Sequence, residues 1–185
     1  MDLPPADLQK EGKGPSQDLL VTRNGRRERL SYQIVFGLAH RMWRRSNYAA
    51  AEKVFGELSA FSDRGPRAAI FLAHCHAMRG DYAACSMVLH NALPKDVYGD
   101  TAARLHDAFV FWKVGLYLDV KQLLKSLALE HVELPSLSLI LAELLLNSGD
   151  KRQSAHFLRQ AIRHDLPTGA IRLAADAALK KIEDN

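Results

Sequence analysis

From Ser31 to Ile182, apolar and small residues recur at intervals of three and four, the spacing of one face of a helix. Tyr32, Val35, Leu38, Ala39 and Met42 mark the first face, with Ser31 placed to cap it, and Tyr48, Ala51, Phe55 and Leu58 mark the second. These faces predict two antiparallel helices, Tyr32 to about Arg45 and Tyr48 to about Phe61, with small Ala39 and Ala51 where the backbones come closest. Asn47 is placed to cap the second helix. Asp63-Arg64-Gly65-Pro66 ends it and starts the next, with glycine beyond the C-terminus and proline in the first helical turn. Continued along the chain, the pattern predicts about nine helices. The last is capped by Thr168 and turns Ile171, Ala174, Ala175, Ala178 and Leu179 inward.

The pattern also repeats. Asn47-Tyr48-Ala49-Ala50-Ala51, followed by Phe55 and Leu58, is answered 34 residues later by Asp81-Tyr82-Ala83-Ala84-Cys85, followed by Leu89 and Ala92. In period and in the placing of its packing residues this resembles the tetratricopeptide repeat, whose helix-turn-helix units stack on one another. The resemblance implies an all-α, right-handed superhelix of about four units, near 32–65, 66–99, 101–134 and 135–168, closed by a capping helix over 169–185. In the second unit Ala69, Leu72, Ala73 and His76 take the packing positions. In the fourth they fall to Leu141, Ala142, Leu145, Ser154, Leu158 and Ala161, with Gly149-Asp150 at the turn. The third unit, with Asp100 as its expected cap, is the most degenerate: Asp107 stands where an apolar residue is expected and Val120 where a small one is.

Residues 1–30 carry Pro4, Pro5, Gly12, Gly14, Pro15 and Gly25 with little apolar periodicity, and read as a disordered leader. Within it Leu19-Leu20-Val21 leaves open a short docking turn. No run of eighteen apolar residues occurs, and residues 1–15 have the basic and apolar regions of neither a signal peptide nor a membrane anchor, so a cytoplasmic protein is expected. Cys75 and Cys85, on consecutive helices, are expected to stay reduced, Cys85 as a small core residue. The net charge of +4 is modest, but Arg23, Arg26, Arg27, Arg29, Arg41, Arg44 and Arg45 crowd one region, expected to be a solvated basic face.

In the tetratricopeptide family the concave surface is lined by residues of each first helix that are not needed between the helices. The matching positions here include Phe36, His40, Trp43, Ile70, His74, Leu105, Phe109, Trp112 and Leu139, which form the expected partner-binding groove. It would be apolar and aromatic, holding both tryptophans and two of the seven phenylalanines. The alternative is that these aromatics fill gaps between successive helices. The family's clamp for acidic C-terminal tails needs lysine, asparagine and arginine donors, where this chain has Phe36, His40, Phe71, Ala102 and Leu105.

Catalytic patterns are missing. His74-Cys75-His76 looks like a metal cluster, but neighbours two apart on a helix point in different directions. His40 and His74 share one register position and could approach each other, as a pH-sensitive or adventitious metal pair. Gly12-Lys13-Gly14 lacks the strand and helix of a phosphate loop, and no nucleophile elbow or HExxH occurs. No cofactor, enzyme activity or nucleic-acid partner is expected; the partner is another protein or peptide, and a homodimer is left open. Tyr48-Ala49-Ala50-Ala51-Glu52-Lys53-Val54-Phe55, with Ile70-Phe71-Leu72-Ala73 and Gly80-Asp81-Tyr82-Ala83, resembles the tetratricopeptide chaperones of bacterial type III secretion systems over residues 32–93. That resemblance implies a cytoplasmic chaperone or accessory protein that holds an apolar segment of a secretion-system subunit. The chain differs from those chaperones in its fourth unit and longer leader. The competing expectation is a structural adaptor that binds through its convex or basic surface.

Overall fold

A computed structural model describes residues 8–9, 18–23, 26–60, 65–166 and 169–184. Its helices are α1 (Tyr32–Arg44), α2 (Tyr48–Ser59), α3 (Gly65–Arg79), α4 (Tyr82–Ala92), α5 (Lys95–Tyr98), α6 (Thr101–Val114), α7 (Tyr117–Glu130), α8 (Pro135–Asn147), α9 (Lys151–His164) and α10 (Ala170–Glu183). The protein is therefore all-α over most of its length. Three strands precede the helices: β1 (Leu8–Gln9), β2 (Asp18–Arg23) and β3 (Arg26–Ser31), antiparallel in that order. Their presence departs from the expected disordered leader. Leu19 stands opposite Leu30 and Val21 opposite both Leu8 and Glu28, so the apolar triplet is part of a ladder, and β3 leads directly into α1. The rest of the leader lies outside the described residues, as do 61–64 and Thr168, expected respectively to end a helix and to cap the last.

Four helix pairs, α1/α2, α3/α4, α6/α7 and α8/α9, pack through the faces given by the periodicity, and the short α5 bridges the second and third. Their turns share one construction. The backbone N–H groups of Asn47, Asp81, Leu116 and Asp150 donate to the carbonyls of Met42, His76, Phe111 and Leu145, closing the preceding helix with a six-to-one bond. The residue before each is left-handed: Ser46 at φ 58°, Gly80 at 85°, Gly115 at 87° and Gly149 at 83°. Asn47, Asp81 and Asp150 then accept a bond from the backbone N–H three residues on, capping the next helix. Leu116 cannot do so and caps nothing. Ser31 and Asp100 also occupy cap positions without a side-chain bond, contrary to expectation.

Helix α8 is buried at every residue from Pro135 to Leu145. A helix that is apolar all round belongs inside a core, and α8 packs against α7 and α9 and also against α3 and α10. Ser154 Oγ donates to the Ala142 carbonyl at 2.8 Å, possible because small residues bring the α8 and α9 backbones together. Ser136 Oγ donates to the Arg67 carbonyl at 2.9 Å, fastening the start of α8 to the start of α3. In the degenerate pair Asp107 is exposed, while Arg104 donates to Glu130 and Ser126 of α7, supplying polar contacts where apolar ones were expected. Helix α10 packs on α9 and α8 and reaches α1. Gly169 precedes it because an added Cβ would meet Asp165 Oδ2 at 1.9 Å, and that oxygen accepts from Arg172 N.

Ser46 is the one non-glycine at the shared left-handed position. That conformation costs an L-residue about 1 kcal/mol, partly offset by the greater freedom of glycine in the unfolded chain. Ser46→Gly is expected to raise stability by roughly 0.5 kcal/mol and Gly80→Ser to lower it by about as much. Urea unfolding midpoints measured on both variants check the pair, and equal midpoints would count against the shared turn.

Candidate functional site

The nine residues expected to line an open groove lie inside the protein. Phe36, Ile70, His74, Leu105, Phe109 and Leu139 are fully buried, His40 and Trp43 are 5% exposed, and Trp112 is partly buried against the core. The structure therefore replaces the expected groove with packing. Apolar side chains on α1, α3 and α6 gain by leaving water, and α8 packs on α3 while α10 packs on α1.

What the structure assembles from these residues is an aromatic ribbon. Phe36 meets Phe55 and Phe71 edge-on, each with ring centres 5.5 Å apart, and Trp43 meets Phe71 at 5.2 Å. Edge-to-face contacts of this kind add to simple burial, because the positive rim of one ring faces the negative face of the other. His74 is the node. Its Nδ1 accepts from Trp43 Nε1 at 2.9 Å, and its ring contacts those of Tyr48, Phe109 and Trp112. Accepting at Nδ1 requires a neutral ring, and burial holds the His74 pKa down at about 3.

His40 stacks between Phe36 and Trp43. Beyond it lies Glu143 of α8, 2% exposed, with Arg44 Nε of α1 3.0 Å from its Oε2. Burial raises the Glu143 pKa, and the charges of Arg44 and Lys181 work against that rise. His40 Nε2 lies 3.8 Å from Glu143 Oε1, too far for a hydrogen bond. Burial, then Arg44 and Arg41, hold His40 down at about 3, so the contact is not an ion pair either. A second charged contact joins Arg67 Nε of α3 to buried Asp165 at 3.3 Å.

Sequence reasoning missed these pairings. The arginine cluster containing Arg44 reads as a solvated face, whereas Arg44 faces the buried Glu143. The signal was there: one glutamate within Leu137-Ser138-Leu139-Ile140-Leu141-Ala142-Glu143-Leu144-Leu145 requires a cation wherever that helix is buried. His40 and His74 do not pair with each other through any contact described here, and no cluster of three metal-binding side chains occurs among the described residues. Cys75 and Cys85 are free and buried, and burial raises both thiols, Cys85 to about 12, so neither is a ready nucleophile. No helix among the described residues is long and apolar enough to cross a membrane. No protein-family model matches the chain, and neither does any curated protein.

The surface holds the contrast. At the turn between α6 and α7, Val114, Leu116, Tyr117 and Leu118 are 60%, 48%, 52% and 76% exposed. The other three turns carry Arg45-Ser46-Asn47, Arg79-Gly80-Asp81 and Ser148-Gly149-Asp150 in the matching places.

Removing Arg44 would strand a buried carboxylate. Arg44→Met is expected to cost roughly 3 kcal/mol, at the low end for a broken buried pair because its side chain is 31% exposed, and adding Glu143→Met recovers most of the loss. A double-mutant cycle by urea unfolding measures the coupling, and simple additivity would refute it. The histidines predict a pH dependence. Their folded values lie below 6.5, so the stability present above pH 6.5 is lost as pH falls toward 3, because the unfolded chain takes up protons first. The loss at pH 5 is about 2 kcal/mol per histidine, partly opposed by Glu143, whose raised value favours the folded state on acidification. Unfolding free energies at pH 7 and pH 5 should converge in His40→Gln relative to the parent; an unchanged difference would show that His40 titrates normally.

Proposed function

We propose that this protein is a non-catalytic protein-binding module that meets its partner through its outer surface, as an adaptor or accessory subunit of a larger assembly. The observation that carries this reading is the run of exposed apolar residues from Val114 to Leu118, at the one of the four turns within the helix pairs that lacks a polar cap. Exposed apolar surface grouped at a site where the fold elsewhere places polar residues is stabilised when a partner covers it. The binding mode expected of the concave aromatics has lost its support, since those side chains are engaged in the core.

The class of assembly comes from the resemblance of residues 32–93 to the tetratricopeptide chaperones of type III secretion. On that reading the repeats are tetratricopeptide units, the partner is a secretion-system subunit, and the encounter takes place in the cytoplasm. A non-catalytic role fits the sealed, neutral state of His40 and His74 and the raised thiols, which leave no activated group facing solvent in this region.

Val114→Asp with Leu118→Asp tests the surface. Both positions are exposed, so stability should change by less than about 0.5 kcal/mol, whereas affinity for a co-expressed secretion subunit should fall at least tenfold in a titration of the purified pair. Undiminished binding by this variant, with loss on Trp43→Ala, would return the site to the helical interior.

A further inference from the structure

Helices α7 and α9 flank α8 but do not run alongside each other at an even distance. At the C-terminal end of α7 they are tied, where Gln160 Nε2 donates to the Ala128 carbonyl at 2.7 Å. Toward the N-terminal ends they leave a cleft of about 200 Å³. Its base is apolar, made by the edges of Leu141 and Leu145 of α8 and Phe157 of α9, which are otherwise buried at 1%, 4% and 2% exposure. Lys121, Gln122 and Lys125 of α7 form one wall, and Asp150 and Gln153 of α9 form the other.

The cleft sets two lysines against one carboxylate, a net positive balance. The Asp150 carboxylate is held on the wall opposite the lysines, with Oδ1 accepting from Gln153 N at 3.0 Å and Oδ2 from Gln153 Nε2 at 2.6 Å. Lys121 is half-buried and Lys125 exposed, and neither forms an ion pair among the described residues, whereas half-buried Arg67 and Arg104 do. The two lysines are four apart and so lie on the same side of α7. Leu118, the most exposed of the large apolar side chains at 76%, continues that side by one turn toward the α6–α7 turn. The cleft is thus the inner end of the apolar surface on which the proposed function rests.

We propose that this cleft is a recognition pocket for an acidic amphipathic segment of the partner protein. One aromatic or long aliphatic side chain would enter it against Leu141, Leu145 and Phe157, and flanking carboxylates would meet Lys121 and Lys125. The size suits the occupant: a cavity of roughly 150 Å³ lined by apolar side chains is enough to hold a benzene ring. The apolar floor selects for a peptide over a nucleic-acid backbone, whose phosphates would use the lysines and leave the pit unfilled. Unpaired lysines at the lip select the sign of the partner, because an ammonium brought against a basic segment would be desolvated without compensation. The inference depends on the protein-binding reading above but makes a narrower claim, about which chemistry the surface accepts.

The test uses the full chain, isotopically labelled, and three helical peptides that share a central phenylalanine and differ only in carrying glutamate, glutamine or lysine on either side of it. The expected result is that the glutamate peptide alone shifts the amide resonances of Lys121, Lys125, Gln153 and Phe157. Its affinity should exceed that of the glutamine peptide at least tenfold, and Lys121→Glu with Lys125→Glu should reverse the preference toward the lysine peptide. Both lysines are on the surface of α7, so this variant keeps the fold, which its circular dichroism verifies. If the glutamine peptide binds as well as the glutamate peptide and shifts only residues 114–118, the acidic pocket is refuted while the outer-surface reading stands. Should no peptide produce shifts anywhere on the α6–α7 surface, both fail. Binding of a single-stranded oligonucleotide in preference to the glutamate peptide would likewise overturn the proposal.

Discussion

A carboxylate buried within an apolar helix cannot be left alone, and Glu143 is such a group. Helix α8 is covered on all sides, so a charge at its middle would be desolvated at a cost of several kcal/mol without an opposite charge close by. Arg44, at the last turn of the first helix, provides it. The chain must therefore bring together helices separated by about a hundred residues, and other polar groups make the same demand. Ser136 needs the Arg67 carbonyl, and Asp165 needs both Arg67 and the start of α10. The contacts of Arg44 and Arg67 join early helices to late ones, and with the Asp165–Arg172 bond they tie α1 and α3 to α8 and the α9–α10 junction.

Closure has a consequence for recognition. Once α8 and α10 fill the middle, the aromatics of α1, α3 and α6 are engaged with each other, and His40 and His74 are kept neutral within them. The inner face of the helical array becomes core. What is left for a partner is the outside, and among the four turns within the helix pairs three are polar. The exception is Gly115-Leu116-Tyr117, where the helix is uncapped and apolar side chains face water. A local rule broken where nothing in the fold compensates for it points to a requirement beyond folding. The adjoining cleft, with an apolar floor and free lysines, lies on the same flank.

Much of the fold is legible in the residues themselves, and the limits fall at identifiable places. The turns at Asn47, Asp81 and Asp150 were legible because a cap and a left-handed residue act within a few positions of each other. Ser31 and Asp100 show the limit of that reasoning: both residues suit a cap, but neither side chain bonds the free N–H groups, and the Asp100 carboxylate lies toward Arg104 instead. The strand pairing of β2 with β3 was missed because its alternation is weak and charged residues interrupt it. The groove was misread for a different reason. Phe36, Trp43, Phe109 and Leu139 satisfy the pattern of a concave lining, and the same residue types satisfy a core.

Sequence alone determined that the chain is helical, which faces of each pair meet, and that small Ala142 and Ser154 stand at a close approach. These follow from periodicity, and periodicity is local. Only the tertiary structure decided that the remaining apolar face is buried as well, that Arg44 belongs to Glu143, and that Leu118 and the apolar residues beside it stay exposed. An apolar position records a preference to leave water and carries no record of what will cover it. That depends on how far the array of helices closes on itself, which is set by contacts between residues far apart in the chain.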